Sequence, residues 1–330
     1  MKYIFYSQSW INQIIVESII RDENIAIDDI IILTNRNFKY AINKEYEGKM
    51  IVAKKIYNSK LKHLAISHFQ IKKIENWIEE ITNGEKFNCY FPHCHPLLLK
   101  LFTKHPNNYS LNFIEEGLIS YYGRNQANNI LKTRKSLIWL KYFNNKFLKL
   151  LSVPAFPKDY TNVYKIGDFA FPEYRHHVQY DFSIVNNLNI KVDEVENLLV
   201  LAAFVDGSYK LPLDIYLKKL DNVINYLISI GLKKIHYKFH PSDTNIVRVS
   251  TRVKLETIKN QIEFTEISDD QPLELIIIKR KPTVYMFNCS LALYCFQLKT
   301  EFKILTKLID PNCEILNFEE LNLSNYYINP

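Results

Sequence analysis

At 330 residues the chain is too long for one ordinary hydrophobic core, so two domains of roughly 150 residues each are expected. Hydrophobic residues make up 47% and aromatics 14%, which excludes a disordered chain. The net charge of +7 suits an anionic partner, yet no helix-turn-helix, zinc-finger or RNA-recognition signature accompanies it, so nucleic acid is not expected among the partners.

The elements follow an alternating rhythm. Residues 2–6 (KYIFY) read as a strand, and WINQIIVESII from Trp10 has helical spacing. DDIIILTN (28–35) is an apolar run bounded by turn residues, and a long helical pattern covers about 62–82. A short strand NCYF (88–91), a helix over about 95–104 and a strand YSLNFI (109–114) follow, the last ending in Glu115-Glu116-Gly117. After a proline-punctuated aromatic stretch, Pro154 to Pro172, a second set begins. ENLLVLAAF (196–204) reads as a buried strand ending in Asp206-Gly207, and 213–231 as an amphipathic helix closed by Gly231. KKIHYKF (233–239) is a strand ending in His240-Pro241. EFTEI (263–267), a helix over about 271–279 and TVYMF (283–287), ending in Asn288-Cys289-Ser290, complete the pattern. Strands alternating with helices predict two α/β domains, 1–185 and 186–330, each with a mainly parallel sheet.

The five cysteines (Cys89, Cys94, Cys289, Cys295, Cys313) contain no CxxC pair and fit reduced thiols in a cytosolic compartment. The N-terminus lacks the apolar core and cleavage site of a signal peptide, and no stretch reaches the roughly 18 apolar residues of a membrane span. A cytoplasmic protein is therefore expected. KTRKSLIWLKYFNNKFLKLL (132–151) interleaves basic and apolar residues at helical spacing. It reads equally as a peripheral contact with the inner face of a bacterial membrane or as a core helix with a solvated basic face.

Ligands of open parallel sheets bind beyond the carboxyl ends of the strands. Four such ends carry chemically capable residues: Glu115-Glu116-Gly117, Asp206, His240-Pro241 and Cys289-Ser290. Two adjacent carboxylates repel, so one can act as a general base near neutral pH, and Gly117 permits a sharp turn beside them. A proline after His240 suits the first position of a helix, which would place the imidazole at a helix N-terminus, where phosphate binds. Ser290, between TVYMF and LALYCF, reads as a helix cap or a phosphate ligand. His95-Pro96 and His105-Pro106 read as the start and end of one helix. The cluster Pro92-His93-Cys94-His95-Pro96 needs further ligands to hold a metal, so none is expected and His93 instead lines an acceptor side. No DxD triplet, GxGxxG, GxxxxGK[ST] or GxSxG occurs, which excludes the usual metal-dependent sugar-transferase, dinucleotide, P-loop and serine-hydrolase readings.

FIEEG, then YKFHP, then a serine after a strand resembles the bacterial sialyltransferases, which share an acidic-pair-Gly motif, a His-Pro motif and a serine motif in that order. The closest likeness is to the lipooligosaccharide sialyltransferases of glycosyltransferase family 52. The bacterial polysialyltransferases share the motif order. The resemblance spans about 88–117 and 196–295. It implies a GT-B fold of two Rossmann-like domains facing a central cleft, with an acceptor-side N-terminal domain and a CMP-donor-binding C-terminal one. It also implies CMP-sialic acid as donor, a surface glycan (lipooligosaccharide, capsule or O-antigen, lipid-linked or not) as acceptor, inversion, and no cofactor or metal. By position it makes Glu115 the general base with Glu116 beside it, and Asp206 a rival base. His240 becomes general acid or phosphate partner, with Pro241 fixing its turn. Gly117, Asn288, Cys289 and Ser290 complete the donor set. The family has a doubled Ser or Ser-Gly where this chain has Cys289 before and Leu291 after Ser290. Another CMP-activated nonulosonate, Kdo, and a non-catalytic nucleotide- or glycan-binding module stay open as alternatives, as does a homodimer.

Overall fold

The structure, a computed structural model, describes residues 1–34, 44–52, 68–131, 150, 152–186, 192–207, 210–269, 271–318 and 321–329. The amphipathic segment read at 132–151 lies almost wholly outside the described residues. Among them, no helix is long and apolar enough to cross a membrane. The chain divides into two compact units, Met1–Leu188 and Asn189–Pro330, and both are Rossmann-like α/β structures.

In the first unit, strands β1 (Lys2–Tyr6), β2 (Ile30–Thr34), β3 (Met50–Val52), β4 (Phe87–Phe91), β5 (Asn108–Ile114), β6 (Val163–Lys165) and β7 (His177–Gln179) form one sheet in the order β3-β2-β1-β4-β5-β6-β7. Every pairing is parallel. All five residues of β2 and of β4 are buried, as expected of strands covered on both faces, and this is why they read as unbroken apolar runs. Helix α1 (Trp10–Asp22) starts where the Ser9 side chain accepts the Asn12 N–H, and α2 (His68–Thr82) and α3 (Leu97–Thr103) follow. His95-Pro96 and His105-Pro106 do bracket α3. The short β6 and β7 were not legible in sequence: three residues carry no measurable period.

In the second unit, β8 (Asn197–Val200), β9 (Lys234–Lys238), β10 (Glu263–Glu266), β11 (Thr283–Met286) and β12 (Phe302–Ile304) pair in the order β10-β9-β8-β11-β12, again all parallel. The helices α4 (Leu213–Ser229), α5 (Asn245–Glu256), α6 (Leu273–Arg280) and α7 (Leu291–Gln297) each follow one of the first four strands. Tyr216, Leu220, Val223, Ile224 and Leu227 form the buried stripe of α4, packed on Leu199, Ile235 and Tyr237 of the sheet. Burying each such side chain contributes about 1.5–3 kcal/mol. Gly231 just past α4 has φ of 82°, the left-handed geometry that ends the helix as its sequence predicted.

One prediction fails here. Pro241 is not the first residue of a helix, because α5 starts at Asn245 with Thr244 as its N-cap, and 241–242 form a turn. The apolar run at 196–204 is also a shorter strand than expected. It ends at Val200, and in the turn that follows Phe204 N–H donates to Ala202 O at 2.8 Å.

Candidate functional site

Both sheets reverse direction of winding beside their first strand, between β1 and β4 in one unit and between β8 and β11 in the other. In open parallel sheets the carboxyl edge at such a point is where ligands generally bind. His93 follows β4, and Glu115-Glu116 follow the neighbouring β5. In the second unit Ser290 follows β11, while Asp206 and His240 follow the adjacent β8 and β9. Val200 pairs with both Lys238 and Met286, so the chain segments carrying His240 and Ser290 leave the sheet on either side of β8.

The acidic pair is split by its surroundings. Glu115 is 0% exposed. Its Oε2 accepts the main-chain N–H groups of Ile166 and Gly167, each at 2.7 Å, and its Oε1 accepts the Tyr121 hydroxyl at 2.8 Å. Its carbonyl accepts the Asn12 side-chain amide at 2.6 Å, so one residue ties the ends of β5 and β6 to the start of α1. Three donors compensate the desolvated carboxylate, and no solvent route is left for an acceptor hydroxyl. The carboxylate that the resemblance makes the general base is therefore enclosed in this structure. Gly117, directly after the pair, holds φ of 150° and ψ of −150°, a backbone geometry that favours glycine.

Glu116 points elsewhere, as adjacent residues of an extended chain do. Its side chain is 20% exposed, its N–H donates to Ser120 Oγ at 3.2 Å, and its Oε2 lies 3.6 Å from His93 Nε2. His93 Nδ1 accepts the His95 N–H at 3.2 Å, which puts the ring proton on Nε2, facing Glu116. Burial, reinforced by His95, lowers the His93 pKa to about 4, so at neutral pH the contact is dipolar rather than an ion pair. His93 and His95 sit in a loop rather than a strand, with ring centroids 6.2 Å apart and nearly perpendicular. Cys94 between them is buried against Thr103 Oγ1 at 3.3 Å.

His240 is exposed on its turn, with Nδ1 accepting the Ser242 N–H at 3.2 Å. Asp206 Oδ2 accepts the Thr244 N–H at 2.8 Å, so it caps α5 from a separate loop. Asp243 is raised to about 6 by burial, against the opposing main-chain N–H of His240 and the charge of Arg248, with Asp206 adding a further upward push. Ser290 occupies the N-cap position of α7 but makes no capping hydrogen bond with its side chain. Asn288 is spent internally: its Oδ1 accepts Tyr327 Oη at 2.6 Å and Thr306 Oγ1 at 3.0 Å, and its Nδ2 donates to Glu314 O at 2.8 Å. Cys289 is pushed up to about 11 by burial, so it is a neutral thiol at pH 7. Sequence reasoning missed Tyr121, Gly167, Asn12 and Asp243, whose partners lie up to 103 positions away. Only Asp243, three residues after His240, had a local signal, as a turn-closing Asp.

No protein-family model and no curated protein sequence matches the chain. Among solved structures, S. aureus MnaA bound to UDP is similar at 12% identity and a TM-score of 0.44, over 92% of this chain and 79% of that one. A sialyltransferase from Photobacterium damsela is similar at 10% identity and a TM-score of 0.41, over 88% of this chain and 71% of that one.

Proposed function

We propose that the chain is an inverting glycosyltransferase of GT-B type that moves sialic acid from CMP-sialic acid to a hydroxyl of a bacterial surface glycan. The observation that carries this reading is the placement of the three motifs. The acidic pair, His240-Pro241 and Ser290 each follow a parallel strand at the carboxyl edge of a Rossmann-like sheet, the edge at which such sheets generally bind ligands. In this reading the first unit supplies the base and the acceptor side, and the second binds the CMP moiety.

Glu116 is the base. It takes the proton of an acceptor hydroxyl, whose oxygen forms the new bond to the anomeric carbon while the bond to the CMP phosphate oxygen breaks. The electron pair leaves with CMP, and His240 Nε2–H and the Ser290 hydroxyl donate to its phosphate. His93 orients Glu116 through a neutral N–H, which leaves the carboxylate its basicity. Glu115 builds the wall behind it. No metal takes part in these steps.

CMP release from CMP-sialic acid, CMP-Kdo and other CMP-nonulosonates, each with a lipooligosaccharide acceptor, tests donor and activity together. General-base loss predicts that Glu116→Gln falls by at least about 100-fold in transfer. His240→Ala is expected to fall similarly. CMP binding without turnover of any donor, or near-normal transfer by both variants, would sink the proposal.

A further inference from the structure

One residue closes the His240 turn from both sides. Asp243 donates its main-chain N–H to His240 O at 3.0 Å, and its Oδ2 accepts the His240 main-chain N–H at 3.2 Å. Inside the turn, His240 Nδ1 receives the Ser242 N–H and lies 2.7 Å from Ser242 Oγ. A main-chain N–H only donates, so Nδ1 is the unprotonated nitrogen and Nε2 carries the ring proton. Arg248 braces the same turn, with Nη2 on His240 O at 3.4 Å and Nε on Asp243 O at 3.3 Å, its guanidinium 5.3 Å from the Phe239 ring.

Asp243 is only 9% exposed, and its Oδ1 has no hydrogen-bond partner among the described residues. A helix-capping role does not account for it, because Asp206 already accepts the Thr244 N–H and Asp243 caps nothing in α5. Its carboxylate instead faces back toward His240, with Asp206 and Tyr216 as the other titratable neighbours.

We propose that Asp243 is a positioning residue of the donor site: its carboxylate fixes the main chain of His240 so that Ser242 holds the imidazole with Nε2–H outward, as a donor to the leaving phosphate. The inference rests on the reading of His240 as the phosphate partner. Its geometric half stands without it.

Long-range proton–nitrogen NMR correlation of the 15N-labelled full chain reads the His240 tautomer directly, with no donor present. The unaltered protein and Asp243→Asn, whose side-chain oxygen still accepts the His240 N–H, are expected to show one Nε2–H tautomer. Asp243→Ala is expected to show a tautomer mixture. Its kcat/KM for CMP-sialic acid is expected to fall on the order of 10²-fold, the scale of a misplaced catalytic group, with most of the loss recovered in Asp243→Asn. A single unchanged tautomer in Asp243→Ala overturns the proposal. If that variant does not fold, Asp243→Glu, which displaces the carboxylate by one methylene, answers the same question: a mixture supports the proposal and a single unchanged tautomer overturns it. A tautomer that depends on Asp243 in a protein that turns over no CMP-sugar would remove the transferase reading while supporting the positioning of His240.

Discussion

Gly167→Ala tests the architecture behind Glu116. A Cβ at Gly167 would fall 1.8 Å from the Tyr121 hydroxyl oxygen, 2.7 Å from its Cζ and 3.0 Å from Glu115 Oε1. Tyr121 is itself buried and cannot swing into solvent, so its hydroxyl must leave Glu115. Overpacking costs about 1–3 kcal/mol, and the lost hydrogen bond to a buried carboxylate about 1.5–3 kcal/mol. A total loss of about 2.5–6 kcal/mol follows by adding these two ranges. Tyr121→Phe removes the hydrogen bond without the clash and should lose only about 1.5–3 kcal/mol. Because both substitutions break one bond, the double variant should lose less than the sum of the two by at least about 1 kcal/mol. Urea unfolding followed by tryptophan fluorescence reads this cleanly, since Trp10, Trp77 and Trp139 all belong to the first unit's span. A Gly167→Ala loss under about 1 kcal/mol, or strict additivity, would refute the argument.

Three further outcomes are expected. Glu115→Gln should lose most in stability of the first unit, whereas Glu116→Gln should keep its unfolding midpoint and lose transfer; the reverse pattern would restore Glu115 as base. Asp206→Ala should cost about 0.5–2 kcal/mol as a lost helix cap and leave transfer within a few-fold, while a loss near 100-fold would make Asp206 the base. The third concerns pH. The Asp243 carboxyl, held up near 6 in the fold against an unfolded value near 3.8, stays protonated in the folded state over a range where the unfolded chain ionises. Its contribution to stability therefore falls as pH rises from about 4 to about 6 and stays lower above, by up to about 3 kcal/mol. Calorimetry of Asp243→Asn should show a gain over the unaltered protein that grows across that window. A difference independent of pH would discount the shift.

The sequence by itself determined most of the secondary structure and the order of its pieces. Long periodic or fully apolar runs such as 213–231 and 28–35 announce themselves because burial on one stripe or on both faces dictates residue type at every position. It also marked which strand ends carry chemistry, because polar residues directly after a buried run are visible locally. Which member of Glu115-Glu116 is enclosed was not legible. That depends on Ile166, Gly167, Tyr121 and Asn12, which reach Glu115 only once β5, β6 and α1 are side by side. The same holds for His240, whose context was read as a helix start and is a turn closed by Asp243, with α5 capped from a distant loop by Asp206. Spacing reports which face a residue takes. Only the tertiary structure brings together the donors that decide whether a buried carboxylate is a wall or a base, because those donors come from segments far apart in the chain.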